Sequence, residues 1–219
     1  MFLALVPAFQ EQQRIGSVVR SLFDCVDGVV VIDDGSSDKT ADTARLAGAV
    51  VLRHSINRGQ GAALETGHVY ARRVHADYVL HFDGDGQFDP NDIAPALRAL
   101  KDSGADVLFG SRFLDRRSTI PWFKKKLVLP AARRINAFFT GLKLSDAHNG
   151  FRIFNQSALS KIRMTHDRMA HATEIPALVK KHHLSYIEFP VKVTYHEYGQ
   201  GVRGGAQIIK DLLFARFIK

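Results

Sequence analysis

Two carboxylates one glycine apart, Asp83 and Asp85, end the apolar run Tyr78-Val79-Leu80-His81-Phe82 and are followed by Gly86-Gln87. The run reads as a buried strand, so the acids fall where a strand gives way to a loop. In an open parallel sheet, ligands bind beyond the carboxyl ends of the strands, which puts both acids at a ligand crevice. Gly84 and Gly86 let the backbone bend there and leave space for close approach. Two hard oxygen ligands on a flexible turn suit Mg²⁺ or Mn²⁺, which take one or two protein carboxylates and complete their shell with water and substrate phosphates. A calcium loop is excluded, because Phe88 stands where a glycine is needed and Ala94 where a bidentate Glu is needed. An Asp-Gly-Asp-Gly stretch can also be plain turn chemistry, so it does not establish a function by itself.

Other stretches carry chemistry at comparable places. Pro7-Ala8-Phe9-Gln10-Glu11 follows the first apolar run, and Asp33-Asp34-Gly35-Ser36-Ser37-Asp38 follows the second. Asp33 and Asp34 have the acceptor atoms to take a base NH or ribose hydroxyls, while Ser36, Ser37 and Asp38 read as a turn and helix cap. Asn57-Arg58-Gly59-Gln60-Gly61 is a glycine-rich helix entry in which Arg58 and the helix N-terminus suit an anionic phosphate. Arg112, in Gly110-Ser111-Arg112-Phe113, puts a cation beyond a further strand end, where a diphosphate needs one. Asp146-Ala147-His148-Asn149-Gly150-Phe151-Arg152 and Glu174 complete the set. His171, His182 and His183 lack zinc-site spacing and read as surface or core histidines.

The elements that must position these residues are legible in the first half. Strand-like and helical patterns alternate: Phe2 to Val6, Arg14 to Phe23; Val29 to Ile32, Lys39 to Leu46; Ala49 to Leu52, Ala62 to Val74; Tyr78 to Phe82, Ile93 to Lys101; then Asp106 to Phe109. Such units predict an α/β fold with a mostly parallel sheet covered on both faces. After Phe109 the rhythm breaks. A helix over Ala170 to Lys181, a strand over Leu184 to Val193, a loop over Gly199 to Gly205 and an amphipathic helix over Gln207 to Ile218 are expected.

The 219 residues, 46% hydrophobic and 24% charged, suit one domain, 1–219, with a ligand-binding half to about residue 110 and a second half, 111–219. The net charge of +8 favours an anionic partner. Cys25 is the only cysteine and sits in an apolar-periodic pattern, which implies burial and a reducing compartment. The first residues read as a strand, not a signal peptide, and no apolar run is long enough to span a bilayer. Between Arg116 and Arg134 seven basic residues occur without an acid, interleaved with Ile120, Trp122, Phe123, Leu127, Val128 and Leu129. Helices over 118–142 with that composition suit an anionic membrane surface; a single-stranded nucleic acid and a solvated helical pair are the rival readings.

Taken together, these stretches resemble glycosyltransferase family 2 with the GT-A fold, in the branch of dolichyl-phosphate mannose synthases and polyprenyl-phosphate glycosyltransferases. The resemblance rests on Val6 to Glu11, Val31 to Thr40, Asn57 to Gly61, Asp83 to Gln87, Gly110 to Phe113 and Asn149 to Arg152. It implies a nucleoside diphosphate sugar donor, a polyprenyl phosphate acceptor, and a place at the inner face of the cytoplasmic membrane. It further implies that Asp83, Asp85 and Gln87 hold Mg²⁺ or Mn²⁺. Pro7, Ala8, Phe9, Glu11, Asp33, Asp34, Arg58, Gly59, Gly84, Arg112, Asn149, Arg152 and Arg203 would then line the donor and acceptor sites. The family commonly has an Arg or Ser/Lys cluster near the final loop, where this chain offers Gln200 and Arg203.

A phosphate monoester is largely an oxyanion at neutral pH, its second pKa being about 6, so such an acceptor needs no strong base. A hydroxyl acceptor on a glycan or protein would need one, and Glu174 is the expected residue. A nucleotidyltransferase is disfavoured because Pro7 to Glu11 stands where a basic, glycine-rich phosphate loop belongs. No nucleic-acid partner is expected, since acids at strand ends repel phosphate unless a metal intervenes.

Overall fold

The computed structural model describes residues 1–115, 117, 141–165 and 171–194. Arg203, the segment 118–140, the expected loop at 199–205 and the expected helix at 207–218 lie outside the described residues. Strand β1 (Phe2–Ala8) is followed by α1 (Ile15–Leu22), β2 (Gly28–Asp33), α2 (Thr40–Leu46), β3 (Val50–Arg53) and α3 (Gln60–Arg73). The chain continues with β4 (Tyr78–His81), α4 (Ile93–Ser103), β5 (Val107–Ser111), β6 (Arg152–Asn155), α5 (Gln156–Lys161), α6 (His171–Lys181) and β7 (Tyr186–Pro190). The α/β alternation read from the sequence is therefore present.

The strands form one seven-stranded sheet in the order β3-β2-β1-β4-β6-β5-β7. All neighbours are parallel except β6, which runs antiparallel to both β4 and β5. Period-2 alternation gives β1 two apolar faces: Ala4 and Val6 join one core with Ile15, Val18, Val19 and Leu22 of α1 and Ile93, Ala96 and Leu100 of α4. Leu3 and Leu5 face the other side, against Ala63 and Ala71 of α3. A third cluster, built on Phe109, Phe154, Ile175 and Val179, seats α6 on the sheet.

Two expectations are corrected. Helix α1 completes its apolar i, i+3, i+4, i+7 stripe at Leu22, and Asp27 accepts a hydrogen bond from Phe2 N at 2.7 Å, which pins the chain as it enters β2. Cys25 therefore lies beyond the helix, only partly buried, with its Sγ 3.6 Å from the Pro90 carbonyl. Strand β6 is absent from the sequence reading: four residues, Arg-Ile-Phe-Asn, are too short a pattern to announce a strand, and pairing with β4 and β5 decides it. Because β6 is reversed, its first residue, Arg152, sits beside His81 and Phe109, at the same sheet edge as the carboxyl ends of its neighbours.

Candidate functional site

At that edge β4 ends on His81, and Phe82 N still donates to Leu5 O at 3.1 Å, so the chain leaves the sheet only at Asp83. The Asp83 carboxylate is gripped from two sides. Gln60 Nε2, at the first residue of α3, donates to Oδ1 at 2.8 Å. On the other side Gly150 packs so closely that a Cβ there would overlap Oδ2. Asp85 Oδ1 accepts from Gln87 N at 3.0 Å, an Asx turn closed through Gly86 at φ +74°. The turn is tied down beyond: Thr194 N donates to Gln87 O at 2.9 Å, and Phe88 bridges to Val193. Gly84 lies against Pro7, where a Cβ would stand 3.2 Å from the Pro7 carbonyl oxygen.

Crowding by the surrounding protein, and secondly the charge of Asp85, push the Asp83 carboxyl up to about 6 against the opposing effects of Arg152 and Gln60. Two hard carboxylates one glycine apart, the charge of the second disfavouring ionisation of the first, fit a hard divalent cation, whose charge would relieve that repulsion. Among the described residues no three or more His, Cys, Asp or Glu side chains converge as a metal cluster. A cation there would complete its shell from the Gln87 amide, water and a diphosphate.

Arg112, just past β5, forms a forked pair with Asp146: Nε to Oδ2 at 2.7 Å, Nη2 to Oδ1 at 2.8 Å, and backbone N to Oδ2 at 3.1 Å. Asn149 braces the turn into β6 by accepting from Phe151 N at 2.9 Å. Arg152 is 1% exposed, and its Nε and Nη1 have no hydrogen-bond partner. Burial lowers its guanidinium to about 10, while Asp83 and Asp146 act in the opposite direction. It remains a cation beneath the two acids. So enclosed, the side chain does not reach open solvent.

The other end of the edge is laced together. Asp34 uses both oxygens within the chain: Oδ1 with His54 Nδ1 (2.7 Å) and Arg58 N (3.0 Å), Oδ2 with Gly59 N (2.6 Å). Asp33 Oδ1 accepts from Ser36 N at 3.1 Å, and Arg53 Nε lies 3.0 Å from Oδ2. Ala8 O accepts from Asp34 N, and Glu11 N donates to Thr40 Oγ1 at 2.8 Å. Gly35, at φ +77°, leaves room for no side chain, because a Cβ would stand 2.7 Å from the Ile56 carbonyl carbon. Phe9 is 44% exposed beside these loops, and Arg58 is exposed as well.

The edge thus brings together Pro7, Ala8, Glu11, Asp33, Asp34 and Gly59 on one side and Asp83 to Gln87, Arg112, Asn149 and Arg152 on the other. Glu174, in the first turn of α6, accepts from Thr165 N at 2.8 Å and Thr165 Oγ1 at 2.7 Å. That ties it to the loop preceding its own helix. Sequence reasoning does not single out the side chains of Gln60, Gly150 or Arg53. It also misses a buried pair, His68 and His81, whose Nε2 atoms lie 2.7 Å apart. Burial first, then Arg72 and Arg163, lowers His68 to about 3, so that ring stays neutral in the core. A cavity of about 730 Å³ opens at the opposite sheet edge, around Met1, Phe23, Asp77 and Tyr78, away from the carboxylates.

A mostly parallel seven-stranded sheet flanked by helices, with paired carboxylates at its carboxyl edge, is an arrangement of the GT-A kind. The sequence pattern of glycosyl transferase family 2 matches residues 4–163. An uncharacterized protein of Methanocaldococcus jannaschii is 34% identical over 227 residues, covering 97% of this chain and 90% of its own length. A UDP-N-acetylglucosamine–dolichyl-phosphate N-acetylglucosaminyltransferase of Methanococcus voltae is 27% identical, covering 98% and 93% respectively. A glucosyl-3-phosphoglycerate synthase from Mycobacterium tuberculosis, solved with Mn²⁺, uridine diphosphate and glucosyl-3-phosphoglycerate, superposes with a TM-score of 0.70 at 20% identity. That superposition covers 97% of this chain and 78% of the synthase, and it shows the shared fold. The chain belongs to glycosyl transferase family 2 and is a glycosyltransferase.

Proposed function

We infer that this glycosyltransferase moves a sugar from a nucleoside diphosphate sugar to a polyprenyl phosphate, with inversion at the anomeric carbon. The observation that carries the reading is the Asp83-Gly84-Asp85 turn, held open at the carboxyl edge of β4 beside the Asp33–Asp34 loop. The dolichyl-phosphate transferase among the relatives supports the acceptor class. Asp83 and Asp85, with Gln87, would hold Mg²⁺ or Mn²⁺; when bound, the cation supplies positive charge to the departing diphosphate. Pro7, Ala8, Phe9, Glu11 and Asp33 form the nucleotide side. Asp34 shapes that side by fixing Arg58 and Gly59.

Arg112, oriented by its fork to Asp146, adds cationic charge that would help neutralise the departing diphosphate. Arg152 stabilises the negative charge of Asp83 and Asp146 from below, and Asn149 holds the turn between them. Arg203 belongs to the substrate-binding set on the sequence resemblance. The acceptor's phosphate oxygen attacks the anomeric carbon as the bond to the diphosphate breaks, and its charge makes a strong general base unnecessary. Among the described residues no helix is long and apolar enough to cross a membrane. The basic segment at 118–142 is the part proposed to meet the anionic surface carrying the lipid acceptor.

Calorimetric titration with UDP-glucose, UDP-N-acetylglucosamine and GDP-mannose, with Mn²⁺ and then with chelator, tests this. Cation-dependent binding of one donor is expected, and Asp85→Asn should lose it. No binding of any donor under either condition would overturn the reading.

A further inference from the structure

Gln60 belongs to neither the donor side nor the acceptor side, yet its side chain touches the carboxylate on which the proposed cation site depends. Its backbone position is over-determined. Asp34 takes Arg58 N at 3.0 Å and Gly59 N at 2.6 Å, and is itself held by His54, whose Nε2 lies 2.9 Å from Thr66 Oγ1 on α3. Gly59 then enters the helix at φ 96°, ψ 164°, a conformation open essentially to glycine alone. The amide of the next residue is thereby delivered across 23 residues of sequence to Asp83 Oδ1 at 2.8 Å.

Gly150 shuts the other side of the same carboxylate, since a Cβ there would overlap Oδ2 and stand 3.0 Å from Cγ. The carboxylate plane is fixed from both flanks. An amide NH₂ suits the first flank because it donates to Oδ1 without adding charge, so the carboxylate keeps its full negative charge for a cation.

We propose that Gln60 is a positioning residue for the cation-holding turn: delivered by the Asp34 clamp, its amide sets the orientation of Asp83 and thereby the affinity of the turn for a divalent cation with a nucleoside diphosphate. Partners that orient metal ligands from behind typically change metal affinity by about 10–100-fold when removed. The proposal rests on the cation-dependent donor binding inferred above. It assigns to the helix entry a role that phosphate contact alone would not give it, because it links the nucleotide-side loop to the carboxylate turn through covalently adjacent residues.

The test is Mn²⁺ affinity, measured by calorimetry in the presence of UDP and, separately, GDP. Gln60→Met keeps the length of the side chain and removes its donor. It is expected to weaken Mn²⁺ binding about tenfold or more while leaving the melting temperature and cation-free nucleotide binding as in the wild type. Gly150→Ala, which displaces the same carboxylate from its other flank, should weaken Mn²⁺ binding similarly. Unchanged Mn²⁺ affinity in Gln60→Met would overturn the role of Gln60 while leaving the function intact. A wild type that binds Mn²⁺ with neither nucleotide would overturn the function itself, and this role with it.

Discussion

Asp83 is strained as an ion. Crowding and Asp85 hold its carboxyl up to about 6, above the usual carboxylate value of about 3.9, so the folded protein binds the proton more tightly than the unfolded chain does. Stability without metal should consequently fall as pH rises from about 4 through about 6. Asp83→Asn, fixed in the neutral form, should flatten that fall and add about 1–2 kcal/mol at neutral pH, a figure reduced from the full shift because the group is partly exposed. The same variant should lose cation-dependent nucleotide binding; chemical denaturation and calorimetry on one preparation read both effects. Glu174 poses the opposite question. Its oxygen is taken up by Thr165 N and Oγ1, so Glu174→Gln should lower transfer to a polyprenyl phosphate only mildly, by about tenfold at most. Abolished transfer with intact donor binding would instead point to a hydroxyl acceptor served by that carboxylate.

Among the elements, the reversed strand β6 matters most to the site. It carries Arg152 to the carboxyl edge, and Asp106, just before β5, ties the end of β6 and the approach to β7 to β5. That side chain accepts from Ser185 N (2.9 Å), Ser185 Oγ (2.8 Å) and Asn155 Nδ2 (3.1 Å). Burial alone would raise the Asp106 carboxyl; these hydrogen bonds and one from Ser157 outweigh it and hold the carboxyl below the usual range. The resulting stabilisation is present above the unfolded value and is lost as pH falls through the lower, folded one. Asp106→Asn should cost about 1 kcal/mol at neutral pH and remove part of the acid-side loss, as urea denaturation at pH 7 and pH 3 would show. A loss of equal size at both pH values would mean that the hydrogen bonds are not charge-assisted.

For the whole molecule, a formal charge of +8 with an acid-free basic stretch between Arg116 and Arg134 is the basis of the proposed attraction to anionic lipid. Co-sedimentation should be strong with vesicles containing anionic lipid, weak with neutral ones, and markedly reduced on raising salt from about 0.1 M to about 1 M, where the Debye length falls to about 3 Å. Binding to neutral and anionic vesicles alike would remove the electrostatic account of membrane contact.

The sequence by itself determined the α/β alternation, the placing of Asp83 and Asp85 at a strand end, and the family. Those features are local: period-2 and helical patterns, glycine at turns, and motifs within a few residues of one another. Only the tertiary structure decided that Arg152 lies buried under the acids, that Asp34 spends both oxygens on His54, Arg58 and Gly59, and that Gln60 and Gly150 flank Asp83. Each of these depends on pairing between segments distant in sequence, above all the insertion of β6 between β4 and β5. A four-residue strand has too little pattern to announce itself, and a side chain's partner is set by which neighbour the sheet brings beside it.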